Sequence, residues 1–166
     1  VDLIIMEIID KIQFNIRNKA FVNVLSENKK IKFTLNNIVI PFGVEIYNQK
    51  ELLNIEIQPK NNESYNYISI IESIENKIKN SSLDILKNKN IIPSIKDSKY
   101  GKILRTHLIK DPEIYIKSKT DTKINLMKTN LKNSESNVII SLKGIWIKDD
   151  SYGIYWSLSS CEIIKL

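Results

Sequence analysis

The sequence predicts a mainly β fold with one inserted helix, on three observations. Apolar and polar residues alternate with period two over much of the chain, one segment carries a helical apolar stripe, and that segment divides the strands into two sets. With 166 residues there is room for one core of ordinary size, so residues 1–166 are expected to form a single domain. Strands, a helix, then strands in a chain of this length fit an OB-fold-like Greek-key barrel enlarged by extra hairpins. A β-sandwich with a covering helix is the alternative.

The first nine residues are apolar on all sides, which leaves helix and strand both open there. Ile12, Phe14 and Ile16 alternate with Lys11, Gln13, Asn15 and Arg17. Ile31, Phe33 and Leu35 alternate with Lys30, Lys32, Thr34 and Asn36, and Leu53, Ile55 and Ile57 with Asn54, Glu56 and Gln58. Each run is expected to lay one face on a core and the other in water. Residues 58–64 are polar and read as a loop. Over 67–79, Ile70, Ile71, Ile74 and Ile78 form a helical stripe, with Asn66 as the N-cap and Glu72, Glu75, Lys77 and Lys79 toward solvent. A short turn is expected over 82–87 and a loop over 88–99, which contains Pro93. Further strands are expected near 102–109, 113–118, 122–128, 137–148 and 153–164.

Composition excludes more than it assigns. Ile, Lys and Asn number 33, 23 and 19 against 2 Arg and 1 Ala, the skew that AT-rich codons produce. The excess of Lys over Arg and the net charge of +6 are therefore weak pointers to function. A single cysteine, Cys161, rules out an internal disulfide and a multi-cysteine zinc site. With His107 the sole histidine, the only His-centred nucleophile pair left is Cys161 with His107. Four glycines are too scattered for a phosphate loop or a dinucleotide fingerprint. No apolar run reaches the roughly 18 residues of a membrane span. The chain begins Val1-Asp2-Leu3 without an initiator Met, so it is expected to be trimmed, and it lacks the basic start of a signal peptide. Asp149-Asp150 before Ser151-Tyr152-Gly153 reads as a hairpin turn rather than a metal site. The expectation is an intracellular protein with no enzymatic activity, cofactor, metal or membrane association.

Strand parity locates the candidate chemistry. Val138, Ile140 and Leu142 share one face, but beyond Gly144 the apolar positions shift to Ile145 and Ile147. A bulge at Gly144 restores a common inward face and puts Trp146 and Lys148 outward with Ser141 and Lys143. Ile154, Trp156 and Leu158 share a face, so Trp156 is expected in the core and Tyr155 outside. Along 102–108, Leu104 and Leu108 lie on one side, Arg105 and His107 on the other beside Ile103. Lys99, Tyr100, Lys102 and Arg105 concentrate positive charge around a ring. Cations that track phosphates, interleaved with rings that stack on bases, are the elements of single-strand recognition. The nucleic-acid-binding candidates are thus Lys99, Tyr100, Lys102, Arg105, His107, Lys143, Trp146, Lys148 and Tyr155. The ordinary alternatives are a solvated lysine face, a tryptophan covered by a loop and a histidine without a chemical role.

The same residues carry a resemblance. Phe42-Gly43-Val44-Glu45-Ile46-Tyr47-Asn48 with Leu53-Asn54-Ile55 begins it, and Lys99-Tyr100-Gly101-Lys102-Ile103-Leu104-Arg105-Thr106-His107-Leu108 continues it. Lys143-Gly144-Ile145-Trp146-Ile147 and Ser151-Tyr152-Gly153-Ile154-Tyr155-Trp156 close it. Over about residues 30–160 the chain resembles single-stranded-DNA-binding proteins of large DNA viruses, similar in turn to replication-associated binding proteins of short-tailed phages. The resemblance implies an oligonucleotide-binding barrel that coats unwound DNA in replication or recombination, at the site of viral DNA replication, with replication proteins as partners. The phage proteins end in an acidic recruiting tail, whereas this chain ends Ile163-Ile164-Lys165-Leu166, which puts tail-mediated recruitment in doubt. The expected function is sequence-independent single-stranded DNA binding. The alternative is a non-enzymatic viral structural or assembly protein whose basic balance reflects codon usage alone.

Overall fold

A computed structural model describes residues 3–57, 62–99, 101–116, 119–123 and 130–165. In chain order the elements are α1 (Leu3–Asp10), β1 (Ile12–Asn18), β2 (Phe21–Ser26), β3 (Ile31–Ile40), β4 (Val44–Tyr47), β5 (Lys50–Ile57) and α2 (Asn62–Lys79). A 3-10 turn (Asp84–Leu86) precedes β6 (Asn90–Ile91), β7 (Ile95–Ser98), β8 (Gly101–Ile116), β9 (Lys119–Lys123), β10 (Ser134–Lys148) and β11 (Ser151–Lys165).

Five strands close on themselves in the order β3–β5–β8–β11–β10 and back to β3. Every pairing in the ring is antiparallel except β8 with β11, which run parallel. The last two ring strands thus exchange places relative to chain order, a Greek-key arrangement, and the fold is mainly β and OB-like. The ring leaves no pair of separate sheets, so the sandwich alternative falls. The β1–β2 hairpin hangs on β10 through Gly144–Trp146, and β4, β6, β7 and β9 add short flanking pairs.

The core follows the alternation. Ile31, Phe33, Leu35, Leu53, Ile55, Ile57, Leu104, Val138, Ile140, Leu142, Trp156 and Leu158 are all buried in one cluster. Ile70, Ile71, Ile74 and Ile78 of α2 join it, which is why this segment is helical rather than extended. The helix starts at Asn62, so Asn66 lies inside it and is not its N-cap. Asn62, Glu63 and Ser64 are polar in sequence and therefore give no periodic apolar signal. Lys77 and Lys79 stand in the last turn, where they complement the helix dipole.

Residues 3–10 are helical, with Ile9 buried while Leu3 and Ile4 are exposed. The alternation in β1 does not bring a full core face, since the hairpin lies outside the ring and Ile16 is 53% exposed. The strands expected over 102–109 and 113–118 are one continuous strand, β8, as far as Ile116, and residues 117 and 118 fall outside those described. The expected loop over 88–99 contains β6 and β7, two and four residues long, each added to the edge of a longer strand. Of the strand expected at 122–128, residues 124–128 fall outside those described. Asp149 and Asp150 connect β10 to β11 with Asp149 at φ 53°, and Asn48 and Gln49 turn β4 into β5 at φ 48° and 63°. Two-residue hairpins require such left-handed residues, and an asparagine-rich chain supplies them readily.

Candidate nucleic-acid interface

The register of β10 on β11 breaks between Leu142 and Gly144, so Lys143 is the extra residue of a bulge. The inward face passes from Leu142 to Ile145 across it, and Trp146 turns outward. Glycine is required at 144 because a Cβ there would lie 2.3 Å from the Val22 carbonyl oxygen and 2.7 Å from the Phe21 ring. Trp146 stands opposite Gly153 on β11 and opposite Phe21 on β2. Its indole lies directly on the Gly153 backbone, where a Cβ would approach ring carbons at 2.6 Å.

Registered neighbours and positions two apart share a face, so the outer surface can be followed across the strands. From Phe21 and Trp146 it passes to Tyr155, then to His107 and Arg105 on β8, and ends at Tyr47 on β4. Tyr155 stacks on His107 with ring centroids 4.1 Å apart and planes within 8°. Phe21 meets Tyr155 edge-on at 6.3 Å, and the Arg105 guanidinium stands 5.6 Å over the Tyr47 ring. The result is a row of four aromatic rings, one imidazole and one guanidinium. Such rows suit bases, because ring stacking accepts any base while cations attract phosphate.

Burial, with Lys50 and Arg105 nearby, pushes the His107 imidazole down to about 4, so it is neutral at pH 7. It acts in the row as a flat ring rather than a cation. Lys143 is lowered from the ordinary lysine range by burial and by Lys30 and Lys32 across the β3 edge. These three lysines form a positive cluster three positions along β10 from Trp146. Cys161 is buried, its thiol pushed up to about 11, so it is held protonated and unreactive. It is also four positions along β11 from Ser157, the registered partner of His107.

Between Tyr152, which pairs with β6, and Ser157, where pairing with β8 begins, β11 and β8 splay apart. A groove of about 450 Å³ opens there, lined by Arg105, His107, Trp146, Asn54, Phe42 and the edge of Trp156 among others. Trp156 itself is 1% exposed, packs against Phe33 at 6.3 Å, and donates from Nε1 to Ser94 Oγ at 2.9 Å. A larger groove of about 620 Å³ lies elsewhere, beside the end of α2. Tyr152 is the one ring among its lining residues, and one of its lysines, Lys89, donates to the Asp149 carbonyl.

Of the nine candidates, Arg105, His107, Trp146 and Tyr155 come together in the row. Lys148 is exposed on the same face at the end of β10, and Lys143 is set apart with Lys30 and Lys32. Lys102 has the parity of the buried Leu104 rather than of Arg105, and it pairs with Asp97 at 2.9 Å. Lys99 is exposed beyond β7, and Tyr100 lies outside the described residues. Sequence reasoning missed Phe21, Tyr47, Lys30, Lys32 and Lys50. Phe21 and Leu25 are apolar on the opposite face from Val22 and Val24, so β2 shows no clean alternation.

No family model matches the chain, and no curated protein matches it by sequence. Solved structures do share the fold. The single-stranded DNA-binding protein from bacteriophage Enc34 matches over 94% of this chain and 90% of its own, with a TM-score of 0.62 at 15% identity. Its C-terminally truncated form matches over 95% and 96% with a TM-score of 0.55 at 13% identity. The same phage protein in complex with single-stranded DNA matches over 95% and 97%, with a TM-score of 0.54 at 16% identity.

Proposed function

We propose that the outer row from Phe21 to Tyr47 binds single-stranded DNA, with rings stacking on bases and Arg105, Lys148 and the Lys143 cluster drawing the phosphates. The observation that carries this reading is the gathering of these side chains on one face, with Phe21 on Tyr155, Tyr155 on His107 and Arg105 over Tyr47, and Trp146 in register with Phe21. Likeness in fold to a phage protein solved with single-stranded DNA supports it. In this reading the chain acts as one binding domain that covers unwound viral DNA in replication or recombination, alongside replication proteins. It performs no chemistry. His107 is stacked and neutral, and the buried thiol of Cys161 is held protonated, so neither is placed as an acid, base or nucleophile. A hydrolytic or transfer activity lost in His107→Ala would overturn that part.

Titration of oligothymidylate against duplex of equal length, at increasing salt, tests the reading. Single strands are expected to bind more tightly, with a log–log salt slope near about −2 if about three phosphates are contacted. Equal affinity for duplex removes the stacking argument. A second reading, a protein-interaction role, has its own observation in the exposed apolar side chains of Leu3, Ile4 and Met6 on α1. It gains if no single strand binds even at low salt.

A further inference from the structure

The groove between β8 and β11 differs from the flat row beside it. Its volume falls in the range of small-molecule sites, and its lining combines apolar rings with polar groups whose hydrogen-bonding sense can be worked out. Asn54 is nine-tenths buried, and its Nδ2 donates to Glu45 Oε1 at 2.7 Å. A carboxylate can only accept, so the amide orientation is fixed and Oδ1 remains as an acceptor. Arg105, the registered partner of Asn54, offers a fork of donors and no acceptor. His107 has its Nδ1 buried without a hydrogen-bond partner. An orphaned N–H is avoided more strictly than an orphaned acceptor, so the proton of the neutral ring belongs on Nε2, a second source of donation beside Arg105. The Trp156 N–H, already given to Ser94, does not compete.

We propose that this groove takes one nucleobase of the bound strand, turned out of the stack and inserted edge-first, with guanine the base it holds best. This rests on the single-strand reading of the face and adds a preferred base at one position. Trp146 and Phe42 give apolar surface for the faces of the base. Guanine presents two neighbouring acceptors, O6 and N7, which match a guanidinium fork. Its N1–H and N2–H groups, on the adjoining edge, meet the Asn54 carbonyl oxygen. Adenine puts an amino group beside N7 and so sets donor against donor, and thymine has an N–H between its two carbonyls. Cytosine has an acceptor pair in O2 and N3, but its single ring offers Trp146 and Phe42 less surface than a purine, and its one amino group gives Asn54 a single donor group instead of guanine's two.

The test measures affinity of the intact chain for an oligothymidylate and for the same strand with one central thymine replaced. Guanine is expected to tighten binding on the order of tenfold, the size of one bidentate base contact, and adenine by less than about twofold. 7-Deazaguanine, which has C–H in place of N7, is expected to lose most of the gain. In Arg105→Lys, with folding checked by circular dichroism, the ratio of guanine-strand to thymine-strand affinity is expected to fall toward one. Binding of oligothymidylate without a gain from guanine overturns the groove proposal and leaves the face reading standing. An equal gain from adenine, or a gain that survives both 7-deazaguanine and Arg105→Lys, overturns it as well. Failure to bind oligothymidylate at low salt brings down both.

Discussion

The two faces of the β10–β11 ribbon each carry one tryptophan, and the pair shows how little separates a core residue from a ligand-facing one. Trp156 is enclosed by the ring interior, with Phe33 against it and its N–H bound to Ser94. Trp146 is half-buried on the outside, supported from below by the bare backbone of Gly153 and bordering the groove. Without the extra residue at Lys143, Trp146 would point inward and Ile145 outward. Packing on all sides makes a side chain structural, whereas packing on one side leaves surface for something else.

Replacing Trp156 should have the largest effect on this contrast. Trp156→Ala is expected to cost roughly 3–5 kcal/mol in urea unfolding, the range for emptying a large aromatic from a core. The link that Ser94 makes between Trp156 and Glu75 on α2 is broken at the same time, because the Ser94 amide donates to Glu75 at 2.8 Å. A loss below about 1 kcal/mol would mean that Trp156 is not a core residue.

Gly153→Ala should disturb the outer tryptophan without touching it. The new Cβ has no room under the indole, so about 1–3 kcal/mol of strain is expected, together with red-shifted Trp146 emission as the ring lifts toward water. Unchanged emission would show that the indole does not rest on this backbone. Trp146→Ala, in turn, should leave the unfolding midpoint nearly unchanged and weaken single-strand binding by about 1–3 kcal/mol. If it unfolds the protein while the folded remainder still binds DNA, Trp146 belongs to the core and the proposed face is wrong.

The last effect is absent at neutral pH and concerns His107, which takes up protons near 6.5 when unfolded and only at about 4 when folded. Between those values the unfolded state binds the extra proton. Stability should therefore fall as pH drops from about 6.5 toward about 4, and His107 should add no slope above that window. His107→Phe keeps a ring on Tyr155 and should flatten this part of the profile relative to wild type in parallel urea titrations. Identical profiles would mean that the histidine is not withheld from water.

Much of this was legible in the sequence where one simple rule applied. Period two located β3, β5, β10 and β11, period 3.6 located most of α2, the parity break at Gly144 placed Trp146, and the alternation of Ile154, Trp156 and Leu158 placed Trp156. Arg105 and His107 followed from the same parity. Lys102 did not join them, because charge density along the chain ignores the fact that neighbouring residues point to opposite faces. Phe21 and Tyr47 reach the row only through the pairing of β2 with β10 and of β4 with β5, and no local pattern specifies a partner strand. The groove was not legible at all, since it exists only where two strands far apart in the sequence part at one end of their pairing.

The ring also has a seam. Among the described residues, a single registered pair between β3 and β5, Val39 with Glu56, completes the circle, whereas every other junction has a run of pairs. Beside the seam, β3 loses register near Asn36 and Asn37, with Asn37 at φ 54°, and the Asn36 amide donates to the Tyr67 hydroxyl of α2 at 2.8 Å. The helix therefore acts as a clasp across the least-laced junction. Transient opening should begin there, where the fewest ladder bonds must break, and should involve α2 as a unit. Trp146, Tyr155 and His107 lie away from the seam on β10, β11 and β8, so the centre of the surface proposed for DNA keeps its shape while the protein breathes, whereas Tyr47, on the strand paired to β5, moves with the seam.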